Sequence, residues 1–165
     1  MSDEHVAVVT GGASGLGAAL VAHFARRGWA VTMNYRDERK AQALFGALQR
    51  EGTAGRVLKA EADVSERAQV RGMFDETVET FGKVDILVNC AGVNRDAPLL
   101  ELTDKAWDTV IDAHLKGTFI CCQEFVRHHP EGPGHIINLG ATCGLQGRKN
   151  GANFCSAKGL SLIHI

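Results

Sequence analysis

A glycine-rich loop near the start of the chain has residue types and spacing that could bind a phosphate group. The apolar residues 6–9 lead into a loop that carries Gly11, Gly12, Gly15 and Gly17. Glycine lets backbone N–H groups approach a phosphate closely, and the start of a helix presents free N–H groups and a positive dipole. The order of strand, loop and helix therefore predicts a site for a nucleotide phosphate, with an ordinary glycine-rich turn as the alternative.

The rest of the chain alternates short apolar runs with amphipathic segments. This alternation argues for a parallel sheet that is covered by helices on both faces. We therefore expect an α/β fold, a Rossmann-like doubly wound parallel sheet, incomplete, with about five strands in the order 3-2-1-4-5. The strands are predicted at residues 6–9, 30–35, 57–62, 84–88 and 136–139.

The helices between these strands show apolar residues at helical spacing. The first helix is expected to bury Leu16, Leu20 and Phe24, and Ser65 is expected to cap the third helix. A helix from about Asp104 is predicted to carry the apolar residues that precede the last strand. In doubly wound sheets the ligand lies beyond the carboxyl ends of the strands. We therefore expect it to be met by residues 11–17, 35–37, 63–64, 89–92 and 140–142.

The composition excludes several classes of protein. The 165 residues include 18 basic and 19 acidic side chains, a formal net charge of −1, so no long-range field favours nucleic acid or an anionic membrane. No apolar run approaches the ~20 residues that cross a bilayer. Residues 1–5 have neither the basic nor the apolar region of a secretory signal, so we expect a cytoplasmic location.

The cysteines and histidines show no metal-binding pattern. The five cysteines are odd in number and form no Cys-x-x-Cys pair, so we expect reduced, packed thiols and no metal site. His128, His129 and His135 flank a turn at residues 130–134, a placement typical of a solvated loop.

Two motifs together make the chain resemble the short-chain dehydrogenase/reductase family over residues 5–159. The loop at residues 10–17 is similar to the family's glycine loop, and Asn-Cys-Ala-Gly at residues 89–92 is similar to its Asn-Asn-Ala-Gly signature. Residues 92–96 and 115–119 are similar to the branch of 3-oxoacyl-thioester reductases.

The resemblance implies an NAD(P)(H)-dependent oxidoreductase that acts on a small-molecule carbonyl or alcohol. It makes residues 1–159 the N-terminal part of an NAD(P)-binding domain, and it implies a homo-oligomer for the full-length parent. The last predicted strand is then an exposed edge. Residues 160–165 resemble the translation of a transposon-end adapter, and we expect them to be a non-native tail.

The residue type at the end of the second strand indicates whether the cofactor is NAD or NADP. A carboxylate there accepts a hydrogen bond from the ribose 2′-hydroxyl of NAD, whereas the extra phosphate of NADP needs a cation. This chain has Tyr35 followed by Arg36, so NADP(H) is favoured over NAD(H); alternatively, Arg36 only solvates a turn with Arg39 and Lys40. The resemblance assigns cofactor binding to Thr10, Gly11, Ser14, Gly15, Leu16, Gly17, Arg36, Asp63, Val64, Asn89, Ala91, Gly92 and Lys158.

The family's chemistry depends on four residues, of which this chain keeps one. The resemblance places the family's tyrosine and lysine at Phe154 and Lys158. Its serine falls at Ala141 and its asparagine at His114. Phenylalanine has no proton to donate, and loss of a general acid costs roughly 10²–10⁴-fold in rate. We therefore expect the chain as given to be inactive, with a non-catalytic NADP-binding pseudoenzyme as the alternative function. Three readings stay open: a hydroxyl from Thr142, a proton from His114 through water, or His114 as a core residue bonded to a backbone carbonyl.

Overall fold

The predicted strands form one parallel sheet in a computed structural model, which describes residues 5–129 and 132–164. Each strand runs parallel to its neighbours, and the order is β3-β2-β1-β4-β5. The fold class and the strand order predicted from the sequence are thereby confirmed. The strands are β1 (Val6–Val9), β2 (Ala30–Tyr35), β3 (Val57–Glu61), β4 (Ile86–Asn89) and β5 (His135–Asn138).

Seven α-helices of the described residues connect and cover the strands. The long helix predicted from Asp104 does begin there, but a π-helical segment, Asp112–Lys116, divides it into two. The α-helices are α1 (Gly15–Arg26), α2 (Glu38–Arg50), α3 (Arg67–Phe81), α4 (Asp104–Ile111), α5 (Gly117–His128), α6 (Cys143–Gln146) and α7 (Ala152–His164).

The middle of the sheet is buried on both faces, as a parallel sheet between helices requires. Every residue of β1, β2 and β4 is buried, whereas β5 lies at the edge and exposes most of its residues, including Ile136 and Ile137. β4 begins at Ile86 rather than at Val84. The backbone N–H of Asp85 donates to the Val6 carbonyl, and its carboxylate accepts from the Val6 N–H, so this residue closes the connection to β1.

The predicted apolar face of α1 is wrong at Leu16. That side chain is 57% exposed, and the buried positions of the helix are small or β-branched residues such as Gly17 and Val21. A Cβ on Gly17 would lie 2.3 Å from the Gly11 carbonyl oxygen. This close packing turns the Gly17 side of the helix inward, which leaves Leu16 on the surface near the glycine loop.

The predicted helix cap at Ser65 is also wrong. The hydroxyl of Ser65 donates to Asp63 Oδ1 at 2.7 Å, and α3 starts only after Glu66. Because the hydroxyl of Ser65 is bonded to this carboxylate two residues earlier, it does not cap the backbone N–H groups at the N-terminus of α3.

The histidines near β5 do not lie in a solvated loop. His128 belongs to α5, where Nδ1 bonds the Glu124 carbonyl and Nε2 bonds Asp75. His129 Nδ1 bonds the Val84 carbonyl. The helix thus extends further than predicted, because its last residues are tied to neighbouring elements. Residues 130–131 of the predicted turn lie outside the described residues.

None of the helices described is long and apolar enough to cross a membrane.

Candidate cofactor site

The glycine loop leaves an open cradle at the start of α1. Gly11 and Gly15 have φ values of +63° and +54°, a backbone region that favours glycine. A Cβ on Gly15 would have no neighbour within 4 Å, so its surroundings are open. Ser14 makes no side-chain cap, and the first turn of α1 carries no acidic residue. The N–H groups and dipole of this helix end are therefore available to an anion.

Thr10 supports the glycine loop from the protein interior and does not line the cradle. Its side chain is buried, and Oγ1 accepts from the N–H groups of Cys90 and Ala91, both at 3.0 Å. A Cβ on Gly11 would lie 2.8 Å from the Cα of Ala91, and the Gly11 N–H donates to Asn34 Oδ1. The loops after β1 and β4 are thus locked together, with only glycine able to fit between them.

A cleft of about 210 Å³ runs from this cradle across the carboxyl ends of the strands. The resemblance predicted half of the residues that line it, but Lys40 on the first turn of α2 was assigned only to a solvated turn. Its position could have been inferred from helical spacing, since Lys40 lies one helical turn after Asp37, the residue that caps α2 and also lines the cleft. The predicted residues that line the cleft are Gly11, Ser14, Arg36, Asp63, Val64, Ala91 and Gly92.

Arg36 and Asp63 form an ion pair at the far end of the cleft. Arg36 Nη1 lies 2.8 Å from Asp63 Oδ2. Partial burial raises the pKa of Asp63, but the N–H and hydroxyl of Ser65 and the charge of Arg36 outweigh this effect, and the net pKa is lowered. Asp63 is therefore a carboxylate whose charge is already balanced before any ligand binds.

Tyr35 does not offer a free phenol at this end. A hydrogen bond to Glu38, followed by burial, raises the pKa of Tyr35 to about 12. Tyr35 is the only tyrosine in the chain, so the chain has no tyrosine phenol that is free to act as an acid near neutral pH.

Asn89 lies beneath the cleft instead of lining it. Its side chain is buried, and Nδ2 donates to Asn138 Oδ1 at 2.8 Å and to Cys122 Sγ at 3.4 Å. These bonds join β4 to β5 and to α5. Asn89 therefore supports the site through the position of the strand ends.

Lys158 is fixed at the end of β5. It is 8% exposed, and Nζ donates to the carbonyl of Leu139, the residue that follows β5. Burial lowers the pKa of the Lys158 ammonium, while Cys90 and Cys143 oppose that shift. Phe154 lies one helical turn earlier on α7, so the two side chains share a helix face, as the resemblance implied.

His114 occupies the π-helical segment and packs against Phe154. The two ring centroids are 4.9 Å apart and nearly perpendicular. Nε2 of His114 lies 2.9 Å from both the N–H and the carbonyl oxygen of Val93, which agrees with the reading of a core histidine. Burial lowers the pKa of His114, and the charge of Lys158 adds to that shift. A Cβ on Gly92 would lie 2.1 Å from the imidazole, so Gly92 is needed there for space.

Ala141 supplies no hydroxyl to this end of the site. Its carbonyl accepts from the Gly144 N–H in the turn that opens α6. Thr142 is exposed at the start of that helix and makes no side-chain cap. The site thus offers an open cradle for an anion and one lysine ammonium, but residues 141 and 154, where the resemblance places a serine hydroxyl and a tyrosine phenol, are alanine and phenylalanine.

Comparison with known proteins identifies the family. A family model described as short chain dehydrogenase matches residues 5–161. The chain is 39% identical over 160 residues to the short-chain reductase protein NovJ of Streptomyces niveus, which covers 96% of this chain and 60% of that protein. It is 41% identical over 145 residues to (2S)-[(R)-hydroxy(phenyl)methyl]succinyl-CoA dehydrogenase subunit BbsD of Thauera aromatica, with coverage of 87% and 58%.

A third relative belongs to the branch predicted from the sequence. The chain is 34% identical over 154 residues to the 3-oxoacyl-[acyl-carrier-protein] reductase FabG of Staphylococcus aureus, with coverage of 92% and 62%. The chain spans about three fifths of the length of these relatives. The match over nearly all of this chain, together with the parallel sheet and its glycine loop, shows that it belongs to the short-chain dehydrogenase family.

Proposed function

We propose that this chain binds NADP(H) in preference to NAD(H), as the cofactor-binding part of an oxidoreductase that interconverts a small-molecule carbonyl and its alcohol. The observation that carries the proposal is the charge at the cleft's far end. Arg36 and Lys40 line it, while the carboxylates of Asp37 and Asp63 are engaged with donors of the protein. A 2′-phosphate would compete with Asp63 and Asp37 for the cations of Arg36 and Lys40, whereas a ribose 2′-hydroxyl would find both carboxylates already paired.

The glycine loop fits the pyrophosphate of such a cofactor. The open space at Gly15 and the uncapped start of α1 provide room and free N–H donors for an anion. At the other end, Lys158 would hold the nicotinamide ribose. The bound dinucleotide supplies the hydride, and the chain's own residues bind and orient it.

For the whole protein we propose a small-molecule substrate, with 3-oxoacyl thioesters first to be tested because of the similarity to the Staphylococcus aureus reductase. We also propose a homo-oligomer located in the cytoplasm. Residues 1–159 belong to the cofactor domain in this proposal, and residues 160–165 are a non-native tail.

A second candidate is a binder of NADP(H) that does not catalyse. It is favoured by the contact between His114 and Phe154, because two packed rings stand where the family has an amide and a phenol. Ala141 removes the hydroxyl that would stabilise charge on a carbonyl oxygen, an effect worth roughly 10²–10³-fold.

Titration with NADPH and NADH, followed by cofactor fluorescence, tests the binding proposal. We expect tighter binding of NADPH, and we expect Gly15→Ala to weaken it at least tenfold. Gly28→Ala is the matched control, since Gly28 has φ +78° and an equally open Cβ position but lies at the end of α1 remote from the cleft. Equal affinity for the two cofactors would contradict the preference, and equal losses in the two variants would contradict the site.

Addition of a carbonyl to the NADPH complex separates the two candidates. Oxidation of bound NADPH by a 3-oxoacyl thioester or a simple aldehyde would support the oxidoreductase. Binding without oxidation would support the non-catalytic binder.

A further inference from the structure

One asparagine–glycine pair lies in the exposed turn before α7. Asn150 is followed by Gly151, whereas each of the other five asparagines of the chain precedes a residue that has a side chain. Residues 145–150 are all exposed, and α7 begins directly after Gly151. Neither residue of the pair lines the cofactor cleft, so the proposed function does not account for it.

Asn150 adopts a backbone conformation that residues with side chains rarely take. Its φ is +62°, and it is the one non-glycine residue with a positive φ in the part of the chain that the structure describes. Its carbonyl accepts from the Ala97 N–H at 3.0 Å, and the Gly151 N–H donates to the Arg148 carbonyl at 3.2 Å. Among the described residues, the side-chain amide of Asn150 has no hydrogen-bond partner. Backbone bonds therefore hold this turn, while the amide is left unbound.

The side-chain amide of Asn150 is thus open to attack by its own backbone. Only a few covalent bonds separate the Gly151 nitrogen from the side-chain carbonyl carbon of Asn150, so no other element has to bring these atoms together. A side chain on residue 151 would hinder the approach, and glycine has none. The one bond that has to open joins the Gly151 N–H to the Arg148 carbonyl, and it spans an exposed turn, where local opening costs little free energy.

We propose that Asn150 is a site of spontaneous deamidation, with isoaspartate or aspartate in the turn before α7 as the product. The Gly151 nitrogen loses its proton to water and attacks the side-chain carbonyl carbon of Asn150. The bond from that carbon to the amide nitrogen breaks, and the nitrogen takes up a proton and leaves as ammonia. Water then opens the resulting cyclic imide at either of its carbonyl groups. One water molecule is consumed and one ammonia is released, so the reaction needs no oxidant, reductant or enzyme.

The reaction would alter the turn that joins the loop after β4 to α7. Isoaspartate adds a methylene to the main chain between residues 149 and 151 and takes the carbonyl that accepts from Ala97 out of the main chain. Either product also places a new carboxylate two residues from Arg148, whose Nη2 already bonds both carboxylate oxygens of Asp96 at 2.7 Å. Deamidation would therefore change how this loop is held, independently of whether the chain binds a cofactor.

Two other asparagines serve as internal comparisons. Asn94 is exposed like Asn150, but Arg95 follows it. Asn153 is 0% exposed, its Nδ2 donates to the carbonyls of Arg95 and Ala106, and Phe154 follows it. Exposure without a following glycine and burial with a bonded amide are thus both represented, and neither site is expected to react at the rate of Asn150.

Peptide mapping of the folded 165-residue chain tests the proposal. The protein is incubated at mildly alkaline pH, and samples taken over time are digested with trypsin at mildly acidic pH, where imide formation is slow. A sample taken at the start corrects for conversion during digestion. The tryptic peptide of residues 150–158 contains both Asn150 and Asn153, and fragmentation in the mass spectrometer assigns the change to one of them.

We expect the mass increase that replacement of an amide NH2 by OH produces, at Asn150 and not at Asn153. Isoaspartate and aspartate peptides should elute as separate peaks. Conversion at Asn150 should be roughly tenfold or more faster than at Asn94, because only glycine leaves the attacking nitrogen unhindered.

The variant Gly151→Ala tests the role of the glycine. Gly151 does not have a positive φ, and a Cβ there would lie 2.8 Å from Nε of Arg148, an exposed and flexible side chain that can move aside. We expect slower conversion at Asn150 in this variant. Gly55→Ala is the matched control, since a Cβ at that position has open space and lies far along the chain, and it should leave the rate unchanged.

The comparison of Asn150 with Asn94 within the unsubstituted chain does not depend on how the variants fold. No conversion at Asn150, equal conversion at Asn94, or an unchanged rate in Gly151→Ala would overturn the proposal.

Discussion

The imidazole of His114 and the ring of Phe154 meet edge to face, with centroids 4.9 Å apart. This contact joins the π-helical segment to α7 and packs together the two residues that we propose stand at the family's asparagine and tyrosine positions. The imidazole edge is also held at Val93, so the pair is fixed from both sides. Aromatic pairs of this geometry are worth about 0.5–1.5 kcal/mol beyond their burial. The two rings thus form a packed cluster rather than a vacant pocket.

Restoring the three replaced residues should restore carbonyl reduction. In the triple variant Phe154→Tyr, Ala141→Ser and His114→Asn, a phenol on the Lys158 face of α7 gains a nearby cation that lowers its pKa, and a hydroxyl returns beside it. We expect the rate of NADPH oxidation with a 3-oxoacyl thioester to rise by roughly 10²-fold or more, since a general acid alone is worth that much. Stopped-flow absorbance of NADPH measures the rate.

The same triple variant with Lys158→Met is the matched control, and it should lose the gain. If the triple variant binds NADPH but oxidises it no faster than the original chain, the positions carried over from the family are wrong.

The elements and the glycine loop were predictable because local sequence determines them. Strand and helix order follows from the alternation of apolar periods, and Gly11 and Gly15 stand where φ is positive. The spacing of Phe154 and Lys158 likewise needs only helical geometry. These features depend on residues close together in the chain.

The features that sequence reasoning missed depend on contacts between distant residues. Ser65 fails to cap α3 because its hydroxyl donates to Asp63, two residues earlier, and the distant Arg36 holds that carboxylate in place. Asn89 faces Asn138 on the neighbouring strand, which no motif spacing reveals. The π-helical segment places His114 against Val93 and keeps the apolar spacing of an ordinary helix, so periodicity alone gives no sign of it.

Arg36 should determine the preference between the two cofactors. Arg36→Ala would remove the charge-assisted bond that we propose Arg36 makes to the 2′-phosphate, and such bonds contribute about 1.5–3 kcal/mol, or roughly tenfold or more in affinity. We expect weaker NADPH binding and unchanged NADH binding by isothermal titration calorimetry. Arg39→Ala is the control, because Arg39 is a more exposed cation on the same turn that does not line the cleft. Equal losses for both variants would mean that only net charge matters.

His114 should make the chain less stable as the pH falls. Burial lowers its pKa in the folded state, whereas an unfolded histidine has a pKa near 6.5. Below about pH 6.5 the unfolded chain therefore takes up a proton that the folded chain refuses, and stability is lost. Urea unfolding at several pH values measures this effect. As the pH falls, the free energy of unfolding of the original chain should decrease more than that of His114→Asn. A pH-independent difference would contradict a neutral, buried imidazole.

The buried hydroxyls of Thr32 and Thr77 should show coupled effects on stability. Thr77 donates to the Met73 carbonyl at 2.7 Å and lies 2.8 Å from the Thr32 hydroxyl, so Thr32 must donate to Thr77. Thr77→Val would leave the Thr32 donor unpaired inside the protein, at a cost of about 1–3 kcal/mol in the free energy of unfolding. Thr32→Val should cost less, because Thr77 keeps Met73.

The double variant at these positions tests that assignment, because no donor is then left unpaired. Its loss of stability should be smaller than the sum of the two single losses, measured by denaturant unfolding. Thr109→Val is a control for the change of side chain, since Thr109 makes the same bond to a carbonyl four residues earlier but near the surface. Additive losses in the double variant would mean that the two hydroxyls do not depend on each other, and that β2 and α3 are held together by their apolar contacts alone.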